Sequence, residues 1–187
     1  MSQYQYICFV GLDGSGKTLI SKALSRDLHP SIWTSEPSRI PIKSTYSDHD
    51  KLISYLYDRL IHMDDIAVML KNNHVVSDRC FVCNLAYQHT TPDLMNKQPS
   101  NLIFPNYIIF LDTDPTLCQA RIKRRGNEVV PTIEYLNNIR QNYINILKDI
   151  YIRYNIRVIM LNTTNLRPHE ILITIKEQLE TLINVTD

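Results

Sequence analysis

A chain of 187 residues with a formal net charge of +1 suits one domain, residues 1–187, large enough to bury a core without disulfides or metals. That charge balance leaves no bulk footprint for nucleic acid or an acidic membrane, and no apolar stretch nears the ~20 residues that span a bilayer. Cys8, Cys80, Cys83 and Cys118 are too few and scattered for a disulfide scaffold, and the N-terminus has no basic signal-like region, so a reduced, cytoplasmic setting is expected.

The first predicted element is a buried strand over Gln5–Val10. A loop follows, and then a helix over Thr18–Leu28 whose Leu19, Ile20, Ala23, Leu24 and Leu28 recur at helical spacing. The loop, Gly11-Leu12-Asp13-Gly14-Ser15-Gly16-Lys17-Thr18, fits G-x-x-x-x-G-K-[ST]. It takes three of the four glycines in the chain, which argues that glycine is kept for special backbone angles. Glycines there let N–H groups converge on phosphate, and the helix N-terminus adds its positive end. Gly11, Asp13, Gly14, Ser15, Gly16, Lys17 and Thr18 are therefore the expected ATP-binding set, with Lys17 on the β/γ-phosphates and the Thr18 hydroxyl on Mg²⁺.

Ser31–Ser35 is the second predicted strand, and residues 38–50 read as loop. A long helix is expected over Lys51–Lys71, then a strand over His74–Ser77 that runs into Asp78-Arg79. Ligands of an open α/β sheet sit at the carboxyl ends of strands. There Asp78 could hold Mg²⁺ or its water, and Arg79 could clamp a phosphate with paired hydrogen bonds. Cys80 and Cys83 form a lone C-x-x-C; zinc would need a second ligand pair, and none is apparent. A helix is expected over Asn84–His89, and residues 90–104 read as a connection.

Tyr107–Leu111 is the clearest strand, and Pro115 fits the first turn of a helix running to Arg125. Its last residues, Arg121-Ile122-Lys123-Arg124-Arg125-Gly126, suggest a lid over about residues 121–131 that neutralises charge developing in phosphoryl transfer. A solvated helix face is the plainer alternative. Gly126 suits a C-cap or a hinge. Predicted helices over Thr132–Tyr154 and Pro168–Ile183 flank a strand over Ile156–Leu161. Strands alternating with helices argue a parallel sheet covered on both faces.

A phosphate loop alone names no reaction. A GTPase switch would need N-K-x-D, and Asn96-Lys97-Gln98-Pro99 lacks the aspartate. An ATP-driven machine would place Glu after a strand-end Asp, where this chain has Arg79 and Thr113. A small-molecule kinase, with cations around the transferred group, fits best.

The ordered motifs resemble the thymidylate kinase family of nucleoside monophosphate kinases. Asp13 is the acidic loop residue that family favours. Thr34-Ser35-Glu36-Pro37 resembles T-R-E-P, and Tyr55–His62 resembles F-A-A-D-R-x-Q-H. Asp78–Gln88 resembles D-R-Y-x-x-S-x-x-A-Y-Q, Leu111–Pro115 resembles L-D-V-D-P, and Arg121–Gly126 resembles R-I-x-x-R-G. The resemblance implies a five-stranded parallel sheet of order 2-3-1-4-5 and transfer of the ATP γ-phosphoryl group, with Mg²⁺, to a deoxynucleoside monophosphate, dTMP first. It implies acceptor contacts from Glu36, Arg39, Tyr55, Arg59, Arg79, Asn84 and Tyr87, and places Arg121 against adenine. Lys17, Asp13, Arg79, Arg124 and Arg125 become the catalytic set. It also implies a homodimer formed through helices flanking the sheet.

Four departures stand out. Cys80 and Cys83 replace an aromatic and a serine, Ser38-Arg39 stands where the family has two glycines, Ser35 replaces an arginine, and the lid lacks E-L-D-R-x-E. They leave open a kinase with another acceptor, a nucleoside among them, and a regulator that binds nucleotide without turnover.

Overall fold

A computed structural model describes residues 4–35, 45, 47–87, 103–126, 129–154 and 156–184, with the side chains of 48–49, 51–53, 55–57, 59–61 and 183–184 outside the description. Five strands form one parallel sheet in the order β2-β3-β1-β4-β5. They are β1 (Tyr6–Val10), β2 (Ser31–Ser35), β3 (His74–Asp78), β4 (Tyr107–Asp112) and β5 (Arg157–Asn162). Among the described residues the helices are α1 (Lys17–Asp27), α2 (Asp48–Met69), α3 (Phe81–Tyr87), α4 (Pro115–Arg125), α5 (Ile133–Tyr154) and α6 (Pro168–Asn184), with α4 and α5 both between β4 and β5. The expected sheet and its order hold.

Strand alternation divides the core. Tyr6, Cys8, Val10, Ile108 and Phe110 face a cluster completed by α2, α3 and α5. Ile7, Phe9, Tyr107, Ile109 and Leu111 face the opposite cluster, completed by α1 and α6. Each fully buried large side chain contributes about 1.5–3 kcal/mol. All four cysteine thiols are free and buried, and Cys80 and Cys83 belong to the first cluster. Among the described residues no group of three or more His, Cys, Asp or Glu side chains could hold a metal, and no helix is long and apolar enough to cross a membrane.

The structure moves two predicted helix starts by three residues each. Helix α2 starts at Asp48 rather than Lys51, because Ser47 caps it: its hydroxyl accepts the Asp50 N–H at 3.1 Å, and the Asp50 carboxylate accepts the Ser47 N–H at 3.2 Å. Helix α3 starts at Phe81 rather than Asn84, turning in directly after β3 with the Cys83 N–H donating to the Cys80 carbonyl at 2.9 Å. Gly126 is a C-cap, with φ of 79°.

Candidate active site

The chain order reverses at β1. It proceeds to β2 and β3 on one side of β1, and then to β4 and β5 on the other. Such a switch point opens a crevice at the carboxyl ends of the strands. Registers align those ends: Phe9 pairs with Asp78 and Val10 with Phe110, so the loop after β1 lies beside the residues that follow β3.

Loop 11–18 is shaped by its glycines. Gly14 has φ of 84°, and a Cβ there would lie 2.6 Å from the Cys118 carbonyl oxygen of α4. Gly16, with φ of 97°, is the N-cap of α1 and brings no side chain to cap it. The first N–H groups of α1 are left facing outward for an anion. On the other flank, Arg121 Nη1 donates to the Gly14 carbonyl at 3.0 Å, tying α4 to the loop. Ser15 is buried, with its N–H donated to the Leu12 carbonyl at 3.1 Å.

A cavity of about 400 Å³ opens here, lined by Asp13, Gly14, Gly16, Lys17, Thr18, Leu19, Lys22, Asp78, Arg79 and Arg125. Its cations are organised in different ways. Lys17 is 5% exposed, and its Nζ donates to the Gly11 and Leu12 carbonyls at 3.0 and 2.8 Å. Burial lowers its pKa, Arg79 lowers it further, and Asp13 offsets part of the drop. Arg79 is ion-paired with Asp13 and holds a left-handed backbone at φ of 83°, a strained conformation for a residue with a side chain. Its N–H donates to the Phe9 carbonyl at 2.9 Å, which fixes that turn to β1.

Burial pushes the Asp13 carboxyl up, but Arg79 and Lys17 outweigh it and hold the pKa below the ordinary carboxylate value. Tyr87 completes the cluster. Its hydroxyl accepts the Asp13 N–H at 3.2 Å, and its ring lies 5.8 Å from the Arg79 guanidinium. Burial and the Asp13 charge raise its phenol well above the ordinary tyrosine value.

Thr18 Oγ1 donates to Asp78 Oδ2, and Asp78 Oδ1 is buried with no hydrogen-bond partner. A buried carboxylate oxygen with a free lone pair beside a hydroxyl is a donor set that suits a hard cation. The residues present thus fit Mg²⁺.

Of the residues singled out from sequence, Asp13, Gly14, Gly16, Lys17, Thr18, Asp78, Arg79 and Arg125 are brought together in one cavity. Arg124 is exposed and does not line it, and Asn84, buried in α3, is not among its lining residues. Glu36 and Arg39, and the side chains of Tyr55 and Arg59, lie outside the described residues. Sequence reading missed Lys22, whose signal was its place one turn beyond Thr18. It also missed Arg140 of α5, which grips the Asp112 carboxylate with Nε and Nη2 at 2.5 and 2.7 Å.

The thymidylate kinase family model matches residues 9–167. The chain belongs to the thymidylate kinase family. It is a P-loop nucleoside monophosphate kinase of the transferase class. A probable thymidylate kinase of Methanococcus vannielii is 30% identical over 182 residues, 89% of this chain and 91% of that one. The thymidylate kinase of Campylobacter lari is 27% identical over 178 residues, 85% and 91% of the two chains. Among solved structures, thymidylate kinase from Candida albicans superposes with a TM-score of 0.76 at 20% identity, covering 97% of this chain and 93% of that one. Deoxyadenosine kinase from M. mycoides with bound dATP superposes at 0.71 and 20% identity, covering 94% and 99%. At that identity the two structures bear on the fold alone, which both share with this chain.

Proposed function

We propose that the protein transfers the γ-phosphoryl group of ATP to a deoxynucleoside 5′-monophosphate, with dTMP as the first candidate. The observation that carries this reading is the single cavity bounded by the phosphate loop on one side and Asp78-Arg79 on the other. Phosphoryl transfer needs mainly positioning and charge stabilisation, which such a cavity supplies.

In this reading the N–H groups at the start of α1 hold the donor phosphates. Lys17 leaves the Gly11 and Leu12 carbonyls for the β/γ-oxygens. Thr18 and Asp78 would hold Mg²⁺, which would supply positive charge to neutralise the donor phosphates. Arg79, kept in place by its strained turn and by Asp13, meets the acceptor phosphate. Arg125 stands over the transferring group from the end of α4, and Arg121 fixes α4 to the loop. Tyr55, Arg59, Asn84, Tyr87, Glu36 and Arg39 are assigned to the acceptor, and Arg124 to the lid. ATP as donor suits a cytoplasmic setting.

The test is ADP release from ATP with Mg²⁺ across a panel of nucleosides and their monophosphates. ADP with pyrimidine monophosphates, dTMP foremost, supports the reading. ADP with nucleosides alone replaces it with a nucleoside kinase, and no ADP with any acceptor, despite tight ATP binding, leaves a nucleotide-binding regulator.

A further inference from the structure

The geometry points to Lys22 as a further phosphate-binding residue, one that meets the acceptor monophosphate from the β2 side of the cavity. This deepens the reading under Proposed function and rests on it.

Lys22 lies one turn beyond Thr18 on α1, and its side chain lines the same cavity as Lys17, Thr18, Asp78 and Arg79. The other cations there are engaged with protein groups. Lys17 is bonded to two loop carbonyls, Arg79 is paired with Asp13, and Arg125 also has an interaction within the protein. Lys22 is exposed, and among the described residues it has no carboxylate partner. Its Nζ rests 4.4 Å from the centroid of the Trp33 ring. Trp33 is itself oriented, because its indole N–H donates to Ser21 Oγ at 2.9 Å. An exposed cation held on an aromatic face is weakly bound and easily redirected to a stronger anion.

Topology gives the anion. Trp33 is on β2, which pairs with β3, and Arg79 follows β3. Both cations therefore stand on the β2/β3 side of the phosphate loop. Arg121 and α4 hold the loop from the β4 side. A phosphate entering from the β2/β3 side comes between Arg79 and Lys22, while the donor phosphates occupy the N–H cradle. The flexible four-carbon stem of lysine lets one ammonium reach it without moving α1. β2 ends in Ser35, an exposed residue with no charge, so Lys22 also supplies the cation that this strand end lacks.

The experiment compares wild type, Lys22→Met, Lys22→Arg and Trp33→Leu. It measures KM for the monophosphate, KM for ATP, and the inhibition constant of the matching nucleoside, which has no phosphate. Lys22→Met is expected to raise the monophosphate KM about tenfold. ATP KM and nucleoside inhibition stay at wild-type values, Lys22→Arg restores the monophosphate KM, and Trp33→Leu gives a smaller rise in the same direction. A wild-type monophosphate KM in Lys22→Met, or a rise in ATP KM instead, overturns the inference. Wild type that turns over no monophosphate overturns the parent reading and this one with it. Wild-type turnover that Lys22→Met leaves untouched removes Lys22 alone.

Discussion

Asp13 and Arg79, which both line the cavity, form an ion pair that joins the phosphate loop to the turn after β3. The pair couples the two halves of the site before any nucleotide arrives. It also has a pH signature. The Asp13 pKa is lowered in the folded state from its ordinary 3.8, so its stabilisation is complete above that value and disappears as pH falls through the folded one. Asp13→Asn should lose about 1 kcal/mol at pH 7, a small figure because the carboxylate is 38% exposed and screened. Urea unfolding checks this: the difference from wild type narrows as pH drops below 3.8, and a difference independent of pH would contradict it.

Gly14 and Gly16 share a left-handed backbone, yet they differ in surroundings. At Gly14 a Cβ meets α4 backbone at 2.6 Å, whereas at Gly16 nothing lies within 4 Å. Gly16→Ala should cost only the backbone strain, about 1–2 kcal/mol. Gly14→Ala should cost clearly more and loosen α4, seen in thermal unfolding of the two variants side by side.

Arg125 and Arg124 are adjacent in sequence, and only Arg125 lines the cavity. Arg125→Ala should therefore lower kcat by roughly 10²–10³, the scale of removing one charge-stabilising donor. Arg124→Ala should lower it far less. Equal losses would return Arg124 to the mechanism.

Thr18 and Asp78 can be separated from the protein core by a metal titration. Thr18→Val keeps the shape and removes the hydroxyl. It should raise the Mg²⁺ concentration needed for half-maximal rate, with Thr18→Ser close to wild type. Chelation of Mg²⁺ should abolish turnover in all three. An unchanged Mg²⁺ requirement in Thr18→Val would take the hydroxyl out of the metal site.

Much of this architecture is local and was legible as such. The phosphate loop announces itself through three closely spaced glycines, and the strands through continuous apolar runs. Asp78 and Arg79 could be placed because they follow a strand. What escaped depends on contacts between distant residues. Nothing near Gly14 reveals that Cys118 crowds it, and nothing near Asp112 names Arg140 as its partner. Nothing near Lys22 in the sequence points to Trp33, which lies against its ammonium in the fold. Even the start of α2 was hidden, because Ser47 and Asp50 sit in a polar stretch where capping and loop composition look alike.

The most direct measurement follows γ-labelled ATP incubated with dTMP, Mg²⁺ and the protein. Label appearing in dTDP at the rate ADP forms is the predicted result. Label recovered only as inorganic phosphate, or retained in ATP with every monophosphate tried, would contradict the account.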